Sequence, residues 1–265
     1  MKKTALLILS CLLLTSCSGE PNVLFGAASP ESSVLELYVY DGERITDFYI
    51  SDDTIETEIL ESLSEVSAER TEVSTADVTL PIYGFSMGTG DGMGLMMAWS
   101  NGHLYDRDGS VYDFDFDFEA LLEEYGFEEL WSGEGILAMP CARSLVLDEN
   151  GWNASLMTEA EEAVAPEGIE LTIEYDGERI NATYRNNGTE AWGFGAYYSV
   201  QVSLDGRWYT IPTTSDMNWG FVDIGYELES GGEWDETYLL DMYGELPGGL
   251  YRFVAYGLTA EFTVE

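Results

Sequence analysis

The densest grouping of metal-capable side chains is the run "DFDFDFE". Asp113, Asp115 and Asp117 follow the 1-3-5 spacing of a calcium loop, and Glu124 falls at its twelfth position. Such a loop needs glycine at its sixth position for a sharp turn, and Phe118 stands there. The same alternation fits a strand with Phe114 and Phe116 turned inward, the aspartates in water and Asp117 capping a helix. Strand and cap is the expectation; calcium held by Asp113, Asp115, Asp117 and Glu124 is the lesser alternative. Nucleophilic chemistry has little to draw on. The single histidine, His103, follows an Asn-Gly turn, where a hairpin tip would leave it without the partners a triad needs. Zinc would find one histidine and one thiol, Cys141, which is too few. In "AMPCARSLVL" that cysteine reads as a small apolar residue. Fifty Asp and Glu residues supply so many carboxylate pairs that no single pair points to hydrolysis. "GTGDGMG" lacks the spacing and flanking elements of a dinucleotide site and reads as a turn. The chain is expected to be no enzyme and to need no cofactor.

The elements around these residues fall into two blocks. "YDGERI" occurs at Tyr40–Ile45 and again at Tyr175–Ile180. Asp-Gly between strand-like flanks predicts a hairpin with a type I′ turn in both places. After the first copy comes a helical pattern, with Ile55, Ile59, Leu60, Leu63 and Val66 on one face and Asp53 and Glu56 at capping-box spacing. After the second comes a loop and another strand. A duplication would keep the element order, so the repeat is one turn used in two different domains.

Residues 34–135 then read as hairpin, helix, meander and a second helix. The meander includes a type I′ turn at Asn101-Gly102, and the second helix turns Phe118, Leu121, Leu122 and Tyr125 inward. This is a small α+β domain, an antiparallel sheet with two helices on one face. Residues 136–165, closed off by Pro166 and Gly168 just beyond, read as a linker. Residues 166–265 hold seven or eight strand-like runs separated by Gly or Pro turns, the pattern of an all-β immunoglobulin-like sandwich.

Two resemblances sharpen this outline. Lys2 and Lys3 precede an apolar run from Ala5 to Leu14 that is too short to span a bilayer, and the run ends in "LTSC". This resembles the signal peptide and lipobox of bacterial lipoproteins. The resemblance implies a signal peptide over 1–16, cleavage between Ser16 and Cys17, a lipid on Cys17 and a tether over 17–33. The second lies in "SLDGRWYTIP" and "LPGGLYRFVAYGLTAEFTVE". Asp205, Gly206 and Trp208 with Pro247, Gly249, Tyr251 and Arg252 resemble the turn and closing strand of bacterial Ig-like domains from secreted and lipid-anchored Firmicutes proteins. That resemblance makes Tyr251 a tyrosine corner and places Trp208 in the packing of the sandwich.

Charge narrows the partners. The ten basic residues and fifty acids give a net charge of −40, and two of the ten are Lys2 and Lys3, which leaves eight arginines in the rest of the chain. Nucleic acid would be repelled, and so would anionic lipid headgroups. The acidity reads first as a solvated surface, with adaptation to salt or cation binding as alternatives. A hydrophobic content of 45% excludes wholesale disorder. The expectation is a lipid-anchored extracytoplasmic protein serving as a binding or structural module for an envelope protein or glycan. The alternative is a carbohydrate- or peptide-binding accessory protein that uses aromatics such as Trp192, Trp208, Trp219 and Trp234. A carboxylate-dependent hydrolase is a distant third.

Overall fold

The computed structural model describes residues 24–25, 35–87, 95–214, 221 and 223–265. Ser16 and Cys17, most of the 17–33 segment, the "GTGDGMG" turn and Trp219 lie outside the described residues. No described helix is long and apolar enough to cross a membrane.

The first block begins with β1 (Leu35–Tyr40), β2 (Arg44–Ile50), α1 (Asp53–Ser64) and β3 (Glu69–Thr71). It continues with β4 (Ile82–Met87), β5 (Leu95–Ser100), β6 (His103–Asp106), β7 (Val111–Asp113), α2 (Phe118–Glu124) and β8 (Glu128–Glu134). The eight strands form one antiparallel sheet in the order β3-β7-β6-β5-β4-β1-β2-β8.

Alternation along the strands gives this sheet two dry faces. Leu35 and Leu37 of β1, Phe85 and Met87 of β4, and Leu104 of β6 bury against Ile59, Leu60 and Leu63 of α1 and Phe118 and Leu121 of α2. Tyr40, Ile45, Ile82, Ala98 and Tyr105 face the other way, onto Ile136, Met139, Cys141 and Leu145. Gly84 marks the closest approach on that side. A Cβ there would lie 2.5 Å from Met139 Sδ and 2.7 Å from Pro140 Cδ.

Phe25 joins the helical side. It is 1% exposed, with its ring centroid 5.8 Å from Phe85 and 5.6 Å from Phe114. The segment expected as a tether over 17–33 therefore contributes a core residue. An aromatic ring gains more from burial than a linker residue gains from freedom.

The segment 136–165 differs from the loose linker expected of it. It carries α3 (Ala142–Val146) and a two-residue hairpin, β9 (Leu147–Asp148) with β10 (Gly151–Trp152). Ile136, Met139, Cys141, Leu145, Val146, Leu156 and Met157 are buried in it. Its polar composition hid this, because the apolar residues are spaced to meet the sheet's second face rather than to follow one helix or strand period. Further on, Thr158 and Ala160 hydrogen-bond to Thr210 and Trp208 along an edge of the next domain.

Among the described residues the second block has nine strands: β11 (Ile169–Tyr175), β12 (Arg179–Asn186), β13 (Trp192–Phe194), β14 (Ser199–Leu204), β15 (Arg207–Thr210), β16 (Tyr226–Leu228), β17 (Glu233–Leu239), β18 (Gly249–Ala255) and β19 (Leu258–Val264). Sheet β11-β12-β17 packs on sheet β15-β14-β18-β19, with β13-β16 as a short ribbon. Ile180, Ala182, Tyr184 and Tyr238 meet Val200, Val202, Tyr251, Phe253 and Phe262 between them. The layers make an all-β sandwich behind an α+β domain.

The two "YDGERI" turns are alike, but they are not type I′. Only the glycines take positive φ, 109° at Gly42 and 103° at Gly177. In each copy the aspartate side chain accepts from the two backbone N–H groups that follow: Asp41 from Glu43 and Arg44, Asp176 from Glu178 and Arg179. The tyrosine hydroxyl then donates to the glycine carbonyl, Tyr40 to Gly42 at 2.8 Å and Tyr175 to Gly177 at 2.9 Å. Asp-Gly spans a four-residue loop here because the carboxylate replaces a backbone turn. Asn101-Gly102 does form the expected turn, with φ of 51° and 81°.

Candidate functional site

The residues of "DFDFDFE" are drawn apart. Strand β7 stops at Asp113, whose Oδ1 lies 3.2 Å from His103 Nδ1 across the ladder. Asp117 accepts from Ala120 N at 2.9 Å as the N-cap of α2. Phe114 and Phe118 are buried, whereas Phe116 is half-exposed. Among the described residues no three His, Cys, Asp or Glu side chains are placed to hold a metal. The cap consumes Asp117, and Phe118 at the missing glycine position belongs to the core.

The chain that leads into α2 instead builds one wall of an open groove of about 740 Å³. Its floor is a cluster of rings. Tyr83 of β4 stacks on Phe118 at 5.8 Å, and Trp99 of β5 lies 5.9 Å from Tyr83 and 5.6 Å from Phe118. Phe116 meets Phe118 edge-on at 4.9 Å. Trp99 is held by its Nε1–H, which donates to Phe114 O at 2.8 Å. One rim is Asp115, Asp117 and Glu119, all exposed; the other is Leu80, Pro81 and Asn101. The Tyr83 hydroxyl is pushed up from its ordinary pKa by burial, then by the charges of Glu119 and Asp117. Sequence reading missed this site because β4, β5 and the lead-in to α2 contribute to it from separate stretches.

A second depression lies where the two blocks meet. Two adjoining cavities of about 370 and 510 Å³ share Val73, Gly109, Val111 and Asp148. Arg107 and Arg143 line one and Arg70 the other, so three of the eight arginines gather here. Their surroundings are those of a joint. Asp148 accepts from Ser74 Oγ, Thr75 N and Thr75 Oγ1 through one oxygen and from Asn150 N through the other. The Arg143 guanidinium sits 5.1 Å over the Trp152 ring and donates to Glu245 O.

In the sandwich, Tyr251 Oη donates to Pro247 O at 2.6 Å, a bond four residues upstream that fastens the bend before β18. Trp208 carries the Arg252 guanidinium 4.5 Å above its ring. Trp192 stacks on Phe194 at 4.7 Å, and Tyr226 and Trp234 close around the same ring. Phe194 is buried and its neighbours half-buried, so these aromatics fill the end of the sandwich. Cys141 is buried and its thiol donates to Met96 O at 3.3 Å.

A sandwich of two antiparallel sheets with a tyrosine corner defines the immunoglobulin-like class. Residues 152–264 match the family model of the bacterial Ig-like domain, and the carboxy-terminal domain is one. The match begins at Trp152, the last residue of the β9-β10 hairpin. No curated protein and no solved structure matches the chain.

Proposed function

We propose that this protein is an extracytoplasmic lipoprotein, anchored through a lipid on Cys17, that acts as a binding module without catalysing a reaction. The observation that carries the reading is the open groove over Tyr83, Trp99 and Phe118. Ligand sites combine an apolar floor with a few polar groups that fix orientation, and this groove has both. A hydrolase would favour two carboxyls converging in a closed cleft. The groove's acids instead stand along an exposed rim, and one of them caps a helix. The anchor rests on Lys2, Lys3, the apolar run and "LTSC". The bacterial Ig-like domain supports the reading as a rigid module suited to holding another domain in place.

Two measurements test it. Metabolic labelling with a clickable fatty acid should mark the wild type and not Cys17→Ala; equal labelling of both would remove the anchor. Purified protein should sediment with isolated envelope material, and Trp99→Ala should weaken that association. Unchanged binding by the variant would remove the groove from the reading.

A further inference from the structure

We infer that the groove selects an organic cation, such as the ammonium group of a ligand, by laying it on the partly exposed rings of Trp99 and Phe116 under Asp115, Asp117 and Glu119. This rests on the binding-module reading and names its ligand class.

The argument is one of complementarity. Three carboxylates line the groove, and no basic side chain among the described residues does. The whole chain carries −40, so the long-range field also draws cations in and repels anions. Acids alone would suit a metal ion equally, but these are spread along a rim and never close to ligating distance as a trio. A small hard ion demands converging oxygens and strips water reluctantly. A large, weakly hydrated ammonium needs only ring faces and diffuse negative charge, since the π face of Trp or Tyr attracts it directly. Tyr83 and Phe118, 6% and 1% exposed, back the groove, and the reachable faces are those of two other rings. Trp99 and Phe116 are partly exposed, and Trp99 is fixed in orientation through Phe114 O. A neutral sugar would stack on the same rings and donate hydroxyls to the rim carboxylates, so the two ligand classes are separated by their response to charge.

The test is calorimetric titration of the intact protein with tetramethylammonium chloride and, separately, with neopentyl alcohol, a neutral analogue of similar size. Ionic strength is held constant with sodium chloride. The cation should bind with one-site saturation and the alcohol at least about fivefold more weakly. Asp115→Asn with Glu119→Gln should weaken the cation by about threefold to tenfold while leaving the alcohol unchanged. Both residues are exposed and outside the helix cap, so the fold should persist; a circular dichroism melt checks it. Trp99→Leu should abolish both signals. Equal binding of cation and alcohol would overturn the inference, as would a cation signal indifferent to the double variant. Displacement of tetramethylammonium by equimolar calcium would also overturn it, in favour of a metal. Binding of envelope glycan through Trp99 with no response to tetramethylammonium would overturn the inference alone and leave the binding-module reading standing.

Discussion

The indole Nε1–H of Trp152 donates to Tyr251 Oη at 3.0 Å, and that same hydroxyl donates onward to Pro247 O. The connector is thereby bolted to the tyrosine corner, and the opposite side of the bolt is Arg143 over the Trp152 ring. Trp152→Phe should cost about 1–2 kcal/mol, from one lost hydrogen bond and a weakened cation–π contact. Urea denaturation of Trp152→Phe, Tyr251→Phe and the double variant should show non-additive losses. Strictly additive losses would mean the two side chains act independently.

Asp47 is 1% exposed on the sheet face opposite the helices, beside Trp131 of the edge strand. Burial, then the charge of Glu36, pushes its carboxyl up to about 6, while Trp131 favours the ionised form. An acid whose folded pKa exceeds its unfolded value binds more protons when native. Its contribution is therefore lost as pH rises from about 4 through about 6. Asp47→Asn should remove that loss and stabilise the protein at pH 7 by about 1–2 kcal/mol, after discounting for solvent at the open edge. The measurement is chemical denaturation of both proteins from pH 4.5 to 7.5. A difference that does not change with pH would show that Asp47 does not titrate in this range.

Gly84 has ordinary backbone angles for any residue, so its requirement is one of space. Gly84→Ala should push the connector off the sheet at Met139 and Pro140 and cost about 1–3 kcal/mol by overpacking. A Glu-specific protease should then cut the variant faster than wild type within 134–167, because the connector is held only as firmly as its contacts. Equal cutting rates would separate the connector's protection from the Gly84 contact.

With a net charge of −40, the folded chain repels itself. Sodium chloride should raise the melting temperature as the screening length falls from about 10 Å at 0.1 M to about 3 Å at 1 M. Calcium at matched ionic strength should add little beyond this, since the four acids of "DFDFDFE" and α2 do not converge. A calcium-specific gain abolished by Asp115→Asn would reinstate the loop reading, and stability that falls with added salt would refute the repulsion argument.

Local chemistry was readable from the sequence, and long-range placement was not. Asn101-Gly102 carries its own φ preference, and Ile59, Leu60 and Leu63 carry helical period, so that turn and α1 were both legible. The cap of α1 moved by one residue, to Asp52, whose side chain accepts from Thr54 and Ile55. Glu56, expected at the capping-box position, is buried instead, and burial raises its pKa. Strand β8, "EELWSGE", has no period-2 pattern and is a strand only because β2 offers it a free edge. The sandwich strands alternated clearly, but β13 is three residues long and was lost in a loop. The groove could not be anticipated, because Tyr83, Trp99 and Phe118 are neighbours only after β4, β5 and α2 have packed.

The burial of Phe25 has a mechanical consequence. Phe25 lies eight positions after Cys17, and a fully extended chain of eight steps reaches about 28 Å. If Cys17 holds the lipid, the α+β domain rides on a short mooring line close above the headgroups. A tug on that line is borne first by a ring wedged between Phe85 and Phe114, and only afterwards by the hydrogen-bonded ladder of β1. On such an anchor, Phe25 would be the first contact to give way under load.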